Sequence, residues 1–375
     1  MKILLTGGGS GGHFYPIIAV AEEINRIIKD ERLIAPQMFF MSDSPYDPGA
    51  LIENNIDFVR IRTGKMRKYF SILNFFDVIK TFAGIISALI KVYGIFPDVI
   101  FSKGAYASFP VLVAARIFRI PVIIHESDSA PGRVNKWSGK FAEKIAVSYA
   151  DAGKFFDPSK VAVTGNPIRK EILRPKTNGA HEFLKLEFNV PVILILGGSL
   201  GAQIINETVI NALPALVENY QVIHQTGKNN IKSAMQMADI VLAGNPKKSR
   251  YKPFDYLNNL ATSMSAGVAD LVISRAGSTI FEIASWGIPS IIIPITNSVS
   301  DHQRNNAYSY ARSGAAVVIE EFNLNAHILV SEVNRIIGNK MENERMRKSA
   351  KEFAKIDAAE KIAREIIHIG LKHER

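Results

Sequence analysis

The sequence predicts an α/β protein of two Rossmann-like domains with parallel sheets and an interdomain cleft. Three observations lead there. Short apolar runs alternate with helix-period segments along most of the chain, which is the pattern of βαβ units. A strand, a glycine-rich turn and a helix open the chain at Ile3–Leu5 and Gly7–Gly12. The same opening recurs mid-chain, where Val192–Leu196 runs into Gly197, Gly198, Ser199, Leu200 and Gly201.

After Ile3–Leu5 a helix is predicted over Ile17–Ile28, then strands at Met38–Met41, Val99–Phe101, Val122–Ile124 and Ile145–Val147. The second series starts at Val192–Leu196, continues with a helix from about Ala202, and adds strands at Val222–His224, Leu271–Ser274 and Ser290–Ile293. A length of 375 residues is long for one core and agrees with two domains. The expected boundaries give an N-terminal domain over 1–165, with Gly165-Asn166-Pro167 at its end, and a C-terminal domain over 166–345. Residues 346–375 are highly charged with apolar residues at helical spacing. They are expected to form a helical tail that packs back on the N-terminal domain.

Composition narrows the function. The formal net charge of +10 asks for an anionic partner without separating nucleic acid, membrane surface and phosphorylated small molecules. No nucleic-acid motif or basic–aromatic stripe is present, so nucleic acid is not expected. With no cysteine, disulfides, thiolate metal sites and cysteine nucleophiles are excluded. Met1–Leu5 reads as a strand rather than a secretory leader, which points to the cytoplasm. The most apolar stretch, 69–96, is broken by Asp77, Lys80 and Lys91, too often for a spanning helix.

Gly7, Gly9 and Gly12 form G-x-G-x-x-G after the first strand, where a helix N-terminus directs N–H groups at an anion. The motif alone also fits a dinucleotide site, with Asp43 as the ribose acid, or a turn that only packs strand on helix. His13 adds a titratable ring able to meet a reacting group. In the second half, Ser274-Arg275-Ala276-Gly277-Ser278-Thr279 opens a helix, with Thr279 and Glu282 at N-cap and N3 spacing. Those two residues either cap the helix or bind a diphosphate and a ribose. Gln303 and Asn306 share a helix face, as sugar-binding amides or as an ordinary solvated surface.

Taken together, these segments resemble the bacterial lipid-linked muramyl N-acetylglucosaminyltransferases, the MurG family of the two-domain GT-B class. The resemblance spans nearly the whole chain. It rests on Gly11-Gly12-His13 with Pro16, Gly104-Ala105-Tyr106-Ala107-Ser108 before Pro110, and His125-Glu126-Ser127-Asp128 with Pro131-Gly132 and Asn135. It continues through Gly165–Arg169, Gly197–Ala202, Ser274–Gly277, Glu282, and His302-Gln303 with Asn306-Ala307. Three departures stand out. Gly104-Ala105 replaces the usual Gly-Gly, the Gly277–Glu282 segment is one residue shorter, and Ser127-Asp128 follow His-Glu where many relatives have Gln-Asn.

The resemblance implies inverting transfer of N-acetylglucosamine from its UDP conjugate to the C4 hydroxyl of undecaprenyl-pyrophosphoryl-N-acetylmuramyl-pentapeptide, without cofactor or bound metal. It places Ser10, Gly11 and Gly12 beside donor sugar and acceptor pyrophosphate, and Gly104, Tyr106 and Ser108 in the acceptor loop. Asn135 is then a donor-sugar contact, while Arg169 and Ser199 meet donor phosphate and the stretch at Tyr256-Leu257 meets uracil. Ser278 and Thr279 take the diphosphate, Glu282 the ribose, and Gln303 with Asn306 the N-acetylglucosamine. His13 and Glu126 are the candidate bases, His13 preferred for its near-neutral pKa.

A polyprenyl acceptor implies peripheral contact with the anionic inner leaflet, at the cytoplasmic face of the membrane. Lys65, Arg67 and Lys68, followed by Tyr69, Phe70, Ile72, Leu73, Phe75 and Phe76 and then Lys80, have the form of an interfacial binder, although a buried helix reads the same way. Three alternatives remain open from sequence. They are a GT-B transferase with another lipid acceptor or the related UDP-N-acetylglucosamine epimerase, a dinucleotide-dependent oxidoreductase, and a non-catalytic basic surface binder.

Overall fold

The computed structural model describes residues 1–8, 10–64, 72–197, 202–296 and 301–373. It divides into two compact units, residues 1–169 with 355–375, and residues 170–354.

The first unit is built on seven strands: β1 (Lys2–Thr6), β2 (Gln37–Ser42), β3 (Ile56–Arg60), β4 (Val99–Ser102), β5 (Val122–Glu126), β6 (Lys144–Val147) and β7 (Val161–Val163). They pair in the order β3-β2-β1-β4-β5-β6-β7, every neighbour parallel. The connecting helices are α1 (Gly11–Asp30), α2 (Pro48–Glu53), α3 (Ile72–Ile95), α4 (Phe109–Phe118), α5 (Arg133–Ser138) and α6 (Ala150–Gly153).

Strand side chains alternate between the two faces of the sheet. Ile3, Leu5, Phe40 and Phe101 therefore join a core with Phe14, Ile17 and Ile24 of α1. Leu4, Met41, Ile100 and Ile124 point the other way, onto Ala88 and Val92 of α3 and Val111, Leu112 and Ala115 of α4. Covering on both faces makes the central strands continuously apolar, as parallel sheets require.

The second unit carries α7 (Lys170–Leu173), α8 (Ala180–Leu184), β8 (Val192–Leu196), α9 (Gln203–Asn219), β9 (Gln221–Gln225), α10 (Ile231–Val241), β10 (Tyr251–Phe254), α11 (Asn259–Val268) and β11 (Leu271–Ser274). It continues with α12 (Thr279–Trp286), β12 (Ser290–Ile292), α13 (His302–Ala311), β13 (Ala316–Val318), α14 (Ala326–Gly338) and α15 (Lys340–Phe353). Its six strands run β10-β9-β8-β11-β12-β13, again all parallel. Ile193, Ile195, Ile273 and Ile291 bury one face against α9, α10 and α14. On the other side α11 meets β8 and α12 meets β11.

Both units are thus Rossmann-like. The last helix, α16 (Ala358–His373), belongs to the first unit, where Ile362, Ile366 and Ile369 enter the α1 core. Among the described residues no helix is long and apolar enough to cross a membrane.

Candidate functional site

In the first unit the carboxyl ends of β1, β2, β4 and β5 carry most of the motif residues. In open parallel sheets this edge is where ligands bind. Gly7 and Gly8 leave little room for a side chain: a Cβ on Gly7 would stand 2.9 Å from Ile17 Cδ1, and one on Gly8 2.6 Å from Ser42 Oγ. Gly9 lies outside the described residues. Ser10 is the N-cap of α1, yet its hydroxyl bonds no helix N–H. It pairs instead with His13 Nδ1 at 3.0 Å, and the half-buried ring stands on the first turn beside Gly11 and Gly12.

The segment after β4 takes unusual backbone angles. Gly104 has φ +78°, and a side chain there would come within 2.7 Å of Asn135 Oδ1. Ala105 follows at φ 67°, ψ 169°, a region that only glycine enters without strain. The Tyr106 hydroxyl donates to Asp43 Oδ2 at 3.0 Å, and Ser108 Oγ donates to Ala105 O at 2.8 Å. Burial, with Asp43 adding to it, pushes the Tyr106 pKa up to about 12, so the phenol stays protonated and keeps donating. Asp43, the acid that a dinucleotide ribose would need, is therefore engaged by Tyr106.

Glu126 ends β5 and is 4% exposed. Its carboxylate accepts from Asp128 N and Gly132 N, both at 3.0 Å, and from Asn135 Nδ2 at 2.9 Å. Burial and the neighbouring Asp128 raise its pKa, against the pull of those three donors. The geometry makes Glu126 the organiser of the 126–135 turn. The Asn135 amide nitrogen is equally committed, also donating to His125 O at 3.0 Å, while its buried Oδ1 has no partner among the described residues. Arg169, the last residue of this segment of the unit, lays its guanidinium 3.7 Å over the Tyr15 ring.

In the second unit Gly198, Ser199, Leu200 and Gly201 lie outside the described residues. The remaining candidates gather at the carboxyl ends of β9, β11 and β12. Helix α12 starts one residue earlier than the capping-box reading requires. Ser278 is the N-cap, without a side-chain cap bond, and Thr279 is the first helical residue. The reason is a tight entry turn, with Ile280 N donating to Gly277 O and Phe281 N to Ser278 O. Thr279 and Glu282 sit on that first turn. Leu257 is buried, its N–H given to Gln225 Oε1 at 3.0 Å and its carbonyl accepting from Thr262 Oγ1 at 3.1 Å.

Gln303 Oε1 accepts from Ile295 N at 3.2 Å, and the fully buried Asn306 donates to Ala276 O at 3.2 Å. Both amides on α13 therefore brace the strand ends.

Three residues to which the motif reading gave no role, Arg275, Glu321 and Lys103, hold strand ends in place. Arg275 pairs with Glu321 at 2.6 Å and bonds Ile293 O, while Glu321 Oε2 takes the N–H and hydroxyl of Thr296. In the first unit Lys103 is 2% exposed amid His125, Ser127 and Asn166. Its only sequence signal is a cation set between an apolar strand and a glycine.

Sequence comparison decides the family. Residues 3–147 match the glycosyltransferase family 28 N-terminal domain, and residues 192–362 match its C-terminal domain. The chain belongs to glycosyltransferase family 28.

Within family 28, it is 35% identical over 367 residues to a Bacillus cereus protein named UDP-N-acetylglucosamine–N-acetylmuramyl-(pentapeptide) pyrophosphoryl-undecaprenol N-acetylglucosamine transferase 2, covering 97% of this chain and 99% of that one. The chain is thus a member of that transferase family too. The crystal structure of Acinetobacter baumannii MurG superposes with a TM-score of 0.73 at 24% identity, over 98% and 99% of the two chains. A UDP-GlcNAc 2-epimerase from Neisseria meningitidis bound to UDP-GlcNAc gives a TM-score of 0.68 at 15% identity, over 99% and 100%. Such structural likenesses show the shared fold alone. Family 28 membership removes the oxidoreductase and non-catalytic alternatives, and the engaged Asp43 agrees with it.

Ala105 generates a test. Strain of this kind costs about 1–3 kcal/mol, and glycine gives back about 0.4–1 kcal/mol through the unfolded chain. Ala105→Gly is expected to raise the stability of this family 28 glycosyltransferase by about 1 kcal/mol, read as a higher melting temperature. A lower one would show that the methyl is not strained.

Proposed function

We propose that the protein transfers N-acetylglucosamine from UDP-N-acetylglucosamine to the C4 hydroxyl of undecaprenyl-pyrophosphoryl-N-acetylmuramyl-pentapeptide, inverting C1. The observation that carries this is the near-complete alignment with the Bacillus cereus transferase named for these substrates. The N-terminal unit, residues 1–169 with 355–375, takes the acceptor, and the C-terminal unit, residues 170–354, takes the donor.

On the donor side, the first turn of α12 with Ser278 and Thr279 faces the diphosphate, where helix N–H groups favour an anion. Ser199 and Arg169 add phosphate contacts. Glu282 accepts from the ribose hydroxyls. The Leu257 carbonyl keeps a second lone pair for uracil beside the Thr262 bond. Gln303, half-buried, meets the sugar, while Asn306 supports it through Ala276.

On the acceptor side, Ser10, Gly11 and Gly12 receive pyrophosphate and Gly104, Tyr106 and Ser108 frame the muramyl group. Of the two candidate bases His13 is favoured, because Glu126 is buried and three donors hold its carboxylate in the 126–135 turn. A ring that donates Nδ1–H to Ser10 Oγ is the tautomer with its lone pair on Nε2, the form in which imidazole serves as a base for the C4 hydroxyl.

The same reading brings the protein to the anionic cytoplasmic leaflet. Lys65, Arg67, Lys68, Tyr69 and Phe70 lie outside the described residues, but α3 carries its own stripe. Phe82, Ile86, Ile90 and Tyr93 fall on one helix face and are 45–68% exposed. One position round the helix, Ala83, Ser87 and Lys91 line a groove with Arg60 and Arg62. Apolar side chains flanked by cations suit an interface.

Two measurements test the assignment. With both substrates supplied, Glu282→Ala is expected to raise donor KM about 10–100-fold, the worth of a charged hydrogen bond. His13→Ala is expected to lower kcat about 10²–10⁴-fold with donor KM retained. Wild-type failure to use this donor and acceptor, while using another lipid, would replace the proposed reaction. Separately, the protein should co-sediment with phosphatidylglycerol vesicles at low salt, and Phe82→Asp with Ile90→Asp should abolish this. Equal sedimentation of both proteins would reject α3 as the contact.

A further inference from the structure

Beneath the glycine turn lies a buried cation that none of these roles uses. The Lys103 backbone N–H donates to Thr6 O at 2.9 Å, and its Cβ is 3.0 Å from where a Gly7 side chain would stand. Its stem therefore lies against the turn, and its ammonium reaches inward to His125 Nδ1 at 2.6 Å, Asn166 Oδ1 at 3.1 Å and Ser127 Oγ.

The protons around it can be counted. His125 Nε2 is 2.9 Å from Gly165 O, which only accepts, so the ring carries its hydrogen there and Nδ1 is bare. Asn166 Nδ2 faces Pro167 O at 3.3 Å, which turns the amide oxygen toward the lysine. Three acceptors thus surround three donors, the complement of an ammonium. A neutral amine fits only if Ser127 reverses its hydroxyl.

We propose that Lys103 is a positioning residue for the acceptor. Its ammonium ties the loop beginning at Gly104 to the turn built on Glu126 and to the segment from Gly165 to Arg169, and so holds the surface on which the lipid-linked pyrophosphate lies. This rests on the N-terminal unit being the acceptor side. The partners lie 22, 24 and 63 residues away in sequence, so a single side chain fixes three loops. Ser148 Oγ, 3.4 Å from His125 Nε2, adds the end of β6 to the set.

A lysine so placed is also sensitive to pH. Burial brings its pKa down to about 7, with Glu126 and Asp128 opposing the shift. The other titratable groups facing the cluster are His125, which burial and the lysine keep neutral, and His13, whose charge acts on His125. The acceptor-ordering form is the ammonium, present below about pH 7 and lost above it. A His13 base gives the opposite limb, since it works when deprotonated.

The test is steady-state kinetics of the full chain with donor and muramyl-pentapeptide lipid varied in turn. Acceptor KM of the wild type should rise as pH passes upward through about 7, while donor KM stays level. Lys103→Met should raise acceptor KM at least about 10-fold at low pH, the loss of one charged hydrogen bond, and remove the limb.

Because the chain has no cysteine, Lys103→Cys can be alkylated selectively in the unfolded state with 2-bromoethylamine and refolded. That restores an ammonium on a slightly weaker base. Acceptor KM should recover, with its limb moved to lower pH, whereas iodoacetamide treatment should not restore it. A wild type with pH-independent acceptor KM overturns the proposal even if Lys103→Met fails to fold. Equal behaviour of the two alkylated proteins, or a folded Lys103→Met with unchanged acceptor KM, overturns it as well. If the wild type transfers no sugar to this lipid, it is the reaction assignment that fails.

Discussion

Each central strand of the two sheets is buried on both faces, and a polar side chain along such a strand would cost several kcal/mol unless it found a partner. Apart from Lys2 at the start of β1, the strands β1, β4, β5, β8 and β11 are accordingly apolar until their last residues, and polar groups begin where the strands stop. Thr6, Ser102, His125 with Glu126, and Ser274 all stand at such ends. One exception shows the rule at work. His224 lies inside β9, and it is held between the Tyr251 hydroxyl and the Asn206 amide, while burial lowers its pKa to about 3 and keeps it neutral. Chemistry in this molecule is confined to the strand ends because the strands cannot hold it.

Crowding polar groups onto those ends creates its own demand, since each must be satisfied before it can serve a substrate. Much of the motif inventory meets that demand. Glu126 and Asn135 build a turn, Asp43 and Tyr106 close a loop on β2, and Asn306 braces the turn before α12. Arg275 and Glu321 do the same for the end of β12. The groups proposed for substrate are fewer, and they stand on helix first turns, His13 on α1 and Glu282 on α12.

What the sequence discloses follows from the same physics. The nine strands that read as apolar runs are the inner ones. The four that do not, β3, β7, β10 and β13, are the outer strands of the two sheets. An outer strand has a free edge and is partly exposed, so Ile56–Arg60 mixes polar with apolar residues, while Val161–Val163 is apolar but only three residues long, too short to show a period. The site is legible to a similar depth. Glycine turns and the Thr279–Glu282 spacing mark candidate ligand loops, but spacing could not tell a capping box from a helix entered one residue sooner. Nor could it reveal Lys103, whose meaning lies in acceptors far along the chain.

Helix α16 carries a consequence for how the molecule is made. Its isoleucines complete the core formed by β1 and α1, and Gly370 lies directly against Met1. Residues 170–354 fold as their own unit in the interval. Domains usually settle in order as they leave the ribosome. Here the first to emerge is the last to be finished, with an apolar flank of α1 waiting for a helix that translation supplies only after the second unit is complete. Truncation near the carboxyl end is thus an injury to the amino end, and a chaperone guarding the nascent chain has its reason at residue 17 rather than residue 366.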